Sequence, residues 1–371
     1  MARYRFAHAA HPDARHLVDQ CAAELARDGA SGGLGFLYVS DQHARELPGI
    51  VARLKETTGT ADWVGSVGIG VCATGREYFG SPGLAAMIAD IGPGDYRLLP
   101  TIRGDLSGFR SECGAWCESA GSHFGVVHAD PRNGHVPDIV EGLAGAIDGY
   151  LVGGISSSQH SPQQIAGGVT EGGVSGVLLS ENVAVATALS QSCSLIGSMH
   201  RITRAEANVI IELDDRPALD VFKEDIGELL ARDLRRIEGF IFVALPVRSV
   251  DTGDYLVRHI VGIDQPRGLV AISEMAEVGQ TIQFCRRDAH AAEEDLVRMV
   301  GGLKRRINGT PRGATYYSCV ARGPNMFGEE SNELRLIQRE LGDVPLVGFF
   351  CYGEISHRRL YGYTGVLTLF L

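Results

Sequence analysis

The chain has little of what marks membrane, nucleic-acid-binding or disulfide-held proteins. No uninterrupted apolar run approaches the roughly 18 residues of a membrane-spanning helix, and the first twenty residues hold no apolar segment of signal-peptide length. The eight cysteines are scattered over 371 residues, a usage that fits a reducing compartment better than a disulfide framework, so a cytoplasmic location is expected. Basic residues number 34 against 45 acidic ones, a formal net charge of −11, which disfavours nucleic acid and anionic membranes as partners. The one basic cluster, LKRRI (303–307), is short.

Familiar catalytic signatures are also missing. There is no Gly-x-Ser-x-Gly, no Walker loop and no His-Glu-x-x-His. GIGVCA (68–73) matches a dinucleotide fingerprint with Asp90 downstream, but that reading needs a helix to open there, and TGREYFGSPG (74–83) resists one. Cys113 and Cys117, with His123 and His128 beyond, are too loosely spaced for a structural zinc site and lack a second cysteine pair. No catalytic residue and no metal ligand is expected.

Glycine, by contrast, is abundant at 48 residues, and 44% of the chain is hydrophobic, enough for a large core. DWVGSVGIG (62–70), GYLVGGISSS (149–158) and VPLVGFFCYG (344–353) each read as an apolar strand carrying Val-Gly and ending in a small-residue turn. Each follows a helical segment, and each helix follows a strand: LGFLYVS (34–40), HFGVVHA (123–129) and GATYYSCVA (313–321). A further strand closes each copy. The pattern is a β-α-β-β unit used three times, which predicts an α/β protein of mixed, layered sheets and helices. The texture changes near ELDDRPALDV (212–221), where helices and then a run of short strands begin, before a long helix over 289–307. At 371 residues two domains are expected, 1–214 and 215–371.

From that boundary on, RPALDVFKEDIG (216–227), YYSCVARGPNMFGEESNELRLI (316–337) and DVPLVGFFCYGEI (343–355) resemble the C-terminal domain of the FIST family. WVGSVGIGVCATGREYF (63–79) and LVGGISSS with GGVSGVLLS (151–158, 172–180) are similar to its N-terminal domain. The resemblance implies a sensory module of signal transduction that binds a small ligand, with amino acids proposed, and that signals through a partner such as a histidine kinase or chemotaxis-type protein. One family branch consists of haem proteins that sense nitric oxide, so haem is the alternative, with His128, His160, His200, His259 and His357 among the candidate axial ligands. The chain departs from the family pattern at CVARG (319–323), where Val320 and Ala321 replace an Asn-Gly, and at the shortened turn GEISHRRLYGYT (353–364).

The residues themselves suggest where a ligand would sit. Ligands of parallel α/β sheets lie beyond strand carboxyl ends. Strands ending at Cys319 and Cys351 would therefore bring Arg322, Asn325, Phe327 and Glu329 near Tyr352, Gly353 and Glu354. Arginine offers a planar fork for a carboxylate. Glu329, Glu330 and Glu333, expected in the first turn of a helix, disfavour a phosphate there and favour an ammonium. The pattern fits an amino acid or similar zwitterion. The plain alternative is an internal pair between Arg322 and a glutamate. The matching loops of the other copies offer Ser40, Asp41, His128, Asp130, Ser156, Ser157 and Ser158, with Arg76 and Glu77 in the turn after the first; each reads more simply as a turn or cap residue. A thiol enzyme using Cys351 or Cys319 is the rival class, with Glu354 and His357 close by in sequence.

Overall fold

The computed structural model describes residues 4–27, 32–247 and 254–371. They form two compact units: residues 1–191 with 293–371, and residues 192–292. All three copies of the repeated unit lie in the first.

Each copy builds the same sheet. In the first, Leu34–Ser40 leads through the 3-10 turn Asp41–Glu46 and the helix Leu47–Thr58 to Asp62–Gly68, which pairs parallel to it. Leu84–Ala89 then returns antiparallel on the other side of Leu34–Ser40. The second copy repeats this with Phe124–Ala129, the helix Val136–Ala146, Tyr150–Ile155 and Val174–Leu179. The third uses Gly313–Cys319, the helix Asn332–Leu341, Leu346–Cys351 and Thr364–Phe370. One further antiparallel strand flanks each return strand: Arg5–Ala9, Tyr96–Ile102 and Val185–Gln191.

The helices form where the sequence is periodic. Leu47, Ile50, Val51 and Leu54 fall on one buried face, each contributing roughly 1.5–3 kcal/mol by leaving water. Pro48 sits in the first turn, where its missing N–H costs nothing, and Gly59 at φ 66° ends the helix. The Val-Gly of each copy has a steric cause. Gly65, Gly153 and Gly348 lie opposite Leu37, Val127 and Tyr316 in the parallel pairs. A Cβ at any of them would overlap the carbonyl oxygen of that partner. Only glycine lets the two strands approach so closely.

A short hairpin leaves the end of each second strand and joins a different copy's sheet. Gly70–Ala73 with Arg76–Phe79, from the first copy, extends the third sheet beside Leu346–Cys351. Gln164–Ala166 with Gly168–Thr170, from the second, extends the first. Glu354–His357 with Arg359–Tyr361, from the third, extends the second. The exchange is cyclic. The inner faces of the three sheets share one core, which includes Phe36, Tyr38, Val126, Val152, Tyr317 and Phe349. The outer faces are covered by helices, as where Leu17, Leu47, Leu54 and Trp63 cluster in the first copy and Phe109, Ile139, Val140 and Leu143 in the second.

The second unit is an antiparallel barrel. Cys193–Glu206, Thr281–Arg287, Ile241–Pro246, Tyr255–Asp264, Leu269–Ile272 and Val209–Leu213 pair in that order, and the last pairs back to the first. Closure removes unpaired edges. Its core is Ile202, Val243, Ile272, Ile282 and Phe284, with Leu219, Val221 and Phe222 of the helix Ala218–Ile226. The strands expected within 239–285 are present, and the helix expected over 289–307 is Ala289–Arg306. The run 183–199 divides between Val185–Gln191 of the first unit and Cys193–Glu206 of the second. Among the described residues no helix is long and apolar enough to cross a membrane.

Candidate ligand site

The third copy departs from the other two after its first strand. Residues 41–46 and 130–135 bridge strand to helix in the first two copies, whereas the third spends the longer stretch 320–331. This loop holds the short helix Pro324–Phe327, entered through Gly323 at φ 51° and left through Gly328 at φ 79°. The following helix begins only at Asn332, because Glu330 and Ser331 take left-handed φ values of 70° and 62°. Of the three acids expected in its first turn, only Glu333 is there. Glu329 and Glu330 lie in the exposed loop before it.

Glu333 is turned inward and fully buried. Its carboxylate accepts hydrogen bonds from Arg322 Nε at 2.7 Å, Tyr316 Oη at 2.7 Å, Ser318 Oγ at 3.1 Å and the Gly323 N–H at 2.8 Å. Arg322 is also fully buried. Its guanidinium reaches Tyr316 Oη at 3.3 Å and lies 4.9 Å over the Phe327 ring. Burial alone would lower the Arg322 pKa, but the Glu333 charge outweighs it and the value is raised. A buried ion pair persists only when its remaining donors and acceptors are met, and here they pin the loop to the strand Gly313–Cys319. Arg322 thus has an internal carboxylate as partner.

A second carboxyl comes from the exchanged hairpin. Glu77 Oε1 accepts the Leu334 N–H at 3.2 Å, and the Glu77 N–H donates to Ser331 Oγ at 2.9 Å. Glu77 Oε2 is buried and has no hydrogen-bond partner. Burial first, and the neighbouring Glu333 charge second, push the Glu77 carboxyl up to about 8. Above the hairpin and loop opens a pocket of about 510 Å³ lined by both signs of charge: Arg76, Glu77, Glu329, Glu330 and Arg335, with Ser81.

The other expected residues sort as follows. Cys319 and Cys351 lie opposite each other in the parallel pair, and the Val320 N–H donates to the Cys351 carbonyl at 3.0 Å, so the two strand ends are side by side. Glu354 is fully buried and accepts from Thr364 Oγ1 at 2.6 Å, the Thr364 N–H at 3.1 Å and Cys351 Sγ at 3.3 Å. Burial pushes its carboxyl up to about 7. Tyr352 is exposed, and Gly353 gives its carbonyl to the Ile155 N–H at 2.9 Å. Asn325 is exposed and bonds the Val320 carbonyl at 2.9 Å. Of the residues expected around Arg322, Glu329 and Glu330 line the pocket, joined by Arg76 and Glu77 from the first copy; Arg322 and Phe327 are packed together inside the loop. The Cys351 thiol is buried and raised well above its usual range, by burial and then by Glu354, the opposite of an activated nucleophile. His357 stacks on Tyr150 at 5.1 Å.

One cluster escaped the sequence reading. Tyr38, His128 and Tyr317 are fully buried and each sits one residue beyond the partner of a Val-Gly glycine. Tyr38 Oη bonds His128 Nε2 at 3.1 Å and Tyr317 Oη at 2.8 Å. Burial lowers the His128 pKa to about 3. His128 alone had been singled out, as a loop residue and as a candidate haem ligand. Aligning the three copies on their Val-Gly glycines would have brought all three residues together. Of the remaining histidines, His160 pairs with Asp41 at 2.6 Å, His200 lies between Asp214 and Asp225, and His259 packs edge-on to Phe242.

Family models of the FIST N domain and FIST C domain match residues 33–216 and 218–357. The chain belongs to the FIST family. It is similar, at 30% identity over 97% of both chains, to uncharacterized proteins of Mycobacterium tuberculosis strains CDC 1551 / Oshkosh and ATCC 25618 / H37Rv. An uncharacterized protein of Mycobacterium bovis is 35% identical over 49% of this chain and 50% of its own length. FIST domains are associated with sensing in signal transduction. The FIST N and FIST C matches meet at residues 216 and 218, whereas the compact units divide at 191/192 and 292/293. The FIST C match therefore includes most of the barrel strands together with the third copy as far as His357.

Proposed function

We propose that this protein is a cytoplasmic FIST sensor that binds an amino acid or similar small zwitterion in the pocket beside residues 320–331 and signals through a partner protein. Supporting this is one observation: both signs of charge line a single pocket at the place where the third copy departs from the other two. The roles within the pocket differ from those the sequence suggests. Arg76 and Arg335 take the ligand carboxylate, since Arg322 is held by Glu333; Glu77 and Glu329 take the ammonium. The buried Arg322–Glu333 pair keeps the loop in its binding shape. The partner is of the kind the family resemblance implies, a histidine kinase or a chemotaxis-type protein.

A thermal-shift screen against the twenty L-amino acids tests the reading. A ligand of the folded state at a hundred times its Kd adds about 2.7 kcal/mol of stability, a readily measured rise in Tm. Arg76→Ala and Arg335→Ala are expected to weaken that response. If no amino acid raises the Tm, the reading fails.

A further inference from the structure

Glu77 is built into the protein more firmly than a surface acid needs to be. Its N–H and its Oε1 are both tied to residues 331–334 of the third copy, although it belongs to the hairpin of the first. The second oxygen, Oε2, is enclosed without a partner, in a residue only 9% exposed that lines the pocket. Gly323 packs beside that oxygen on the loop side: a Cβ there would stand 3.3 Å from it and collide with Phe350 at 2.6 Å.

The charge inventory around it is lopsided. Glu333 faces Glu77 from the helix, and Arg335 lies two residues further on. Arg322, Glu329 and Glu330 face it from the loop, Arg76 from its own strand, and Cys72 lies opposite it across the hairpin. Arg322 is engaged by Glu333, Arg335 pairs with Glu330 at 3.4 Å, and Arg76 lies 5.9 Å over the Tyr78 ring. The enclosed carboxyl groups of Glu77 and Glu333 thus both lean on one enclosed guanidinium, Arg322.

We propose that Glu77 reads the cationic group of the ligand, and that an ammonium or guanidinium seated at Oε2 displaces the proton Glu77 carries in the free protein. This deepens the zwitterion reading above and rests on that reading for the location of the site. The balance is simple. A neutral carboxylic acid and a ligand cation become a carboxylate–cation pair, and one proton leaves to solvent. Binding is then linked to pH. Burial and Glu333 hold the carboxyl protonated at neutrality, so affinity for the cation rises as pH approaches about 8 and levels off above it. Below that value each pH unit is worth up to about tenfold in affinity.

Thermal unfolding of the full chain at pH 6.5, 7.5 and 8.5 would test this with two probes: the amino acid giving the largest shift in the screen, and n-propylammonium chloride, which carries the cation alone. Sodium propionate is the control. The expected result is a cation response that grows with pH in the native protein and becomes pH-independent and weaker in Glu77→Gln, with no Glu77-dependent response to propionate. Calorimetry of the native protein in two buffers of different ionisation enthalpy adds a readout that needs no variant: close to one proton released per ligand near neutral pH. A pH-independent response, an undiminished response in Glu77→Gln, no response to either cation probe, or no proton release overturns the proposal. If propylammonium binds through Glu77 and no amino acid binds, the zwitterion reading fails while this role stands. If an amino acid binds equally well to Glu77→Gln, the reverse holds.

Discussion

The first two copies of the repeated unit and the third follow the same chain path yet carry different chemistry. Parallel pairing, the close-approach glycine and the exchanged hairpin are common to all three. The buried ion pair and the left-handed residues before the helix belong to the third, and the charged pocket opens where its loop meets the hairpin of the first. The scaffold is thus fixed by strand geometry that every copy must satisfy, and the candidate site arises where one copy inserts extra residues. Function placed on a loop held by a rigid scaffold is a common arrangement.

The largest effects should be those the copies share. Gly65→Ala, Gly153→Ala and Gly348→Ala are each expected to cost more than about 4 kcal/mol, seen as insoluble protein or a collapse of the denaturation midpoint. Equal damage at all three positions would sharpen the comparison, and a well-tolerated substitution at any one would break the equivalence. Next come changes found only in the third copy. Glu333→Gln leaves the Arg322 charge enclosed without its partner and should cost about 3–5 kcal/mol in chemical denaturation, while Asp41→Asn or Asp130→Asn, at the corresponding loops of the other copies, should cost less.

Two titrations separate the copies further. Glu77 has a folded pKa near 8 against an ordinary carboxyl value near 4.3 when unfolded. The folded protein therefore binds more protons between those values, and the Glu77 contribution to stability falls as pH rises through that window. Glu77→Gln should match the native protein at pH 5 and exceed it at pH 9, by a margin of about 5 kcal/mol. His128 runs the other way. Its folded pKa near 3 lies below the unfolded value near 6.5, so its contribution is full above 6.5 and is lost as pH falls toward 3. His128→Gln should show a shallower acid limb, whereas Tyr38→Phe should lose about 1–2 kcal/mol with the acid limb unchanged. The smallest effect is expected at Asn325, exposed on the loop: Asn325→Ala should stay within about 0.5 kcal/mol of the native protein.

Much of the scaffold was legible because it follows from local pattern. Val-Gly marked all three second strands, and Leu334, Ile337 and Leu341 marked the helix between Ser331 and Gly342. The site was only partly legible. Strand ends at Cys319 and Cys351 pointed to the loop after them, but Glu77 lies some 250 residues away in sequence from its partners and reaches them only through the hairpin exchange. No periodicity within a copy reports which sheet its hairpin will join. The inward turn of Glu333 was hidden for a similar reason: three acids within five residues look alike until the left-handed backbone at Glu330 and Ser331 decides which one enters the helix.

The cyclic exchange of hairpins also bears on how such a molecule can be divided. Each copy donates an arm to one neighbour and offers an open strand edge to another, so none is complete by itself. A polypeptide corresponding to one copy would have both a plug and a socket, and three such polypeptides could close into a ring with every plug seated. Cutting the chain between copies should therefore give fragments that reassemble when mixed, while deleting a single arm should leave one socket empty and invite the wrong chain to fill it.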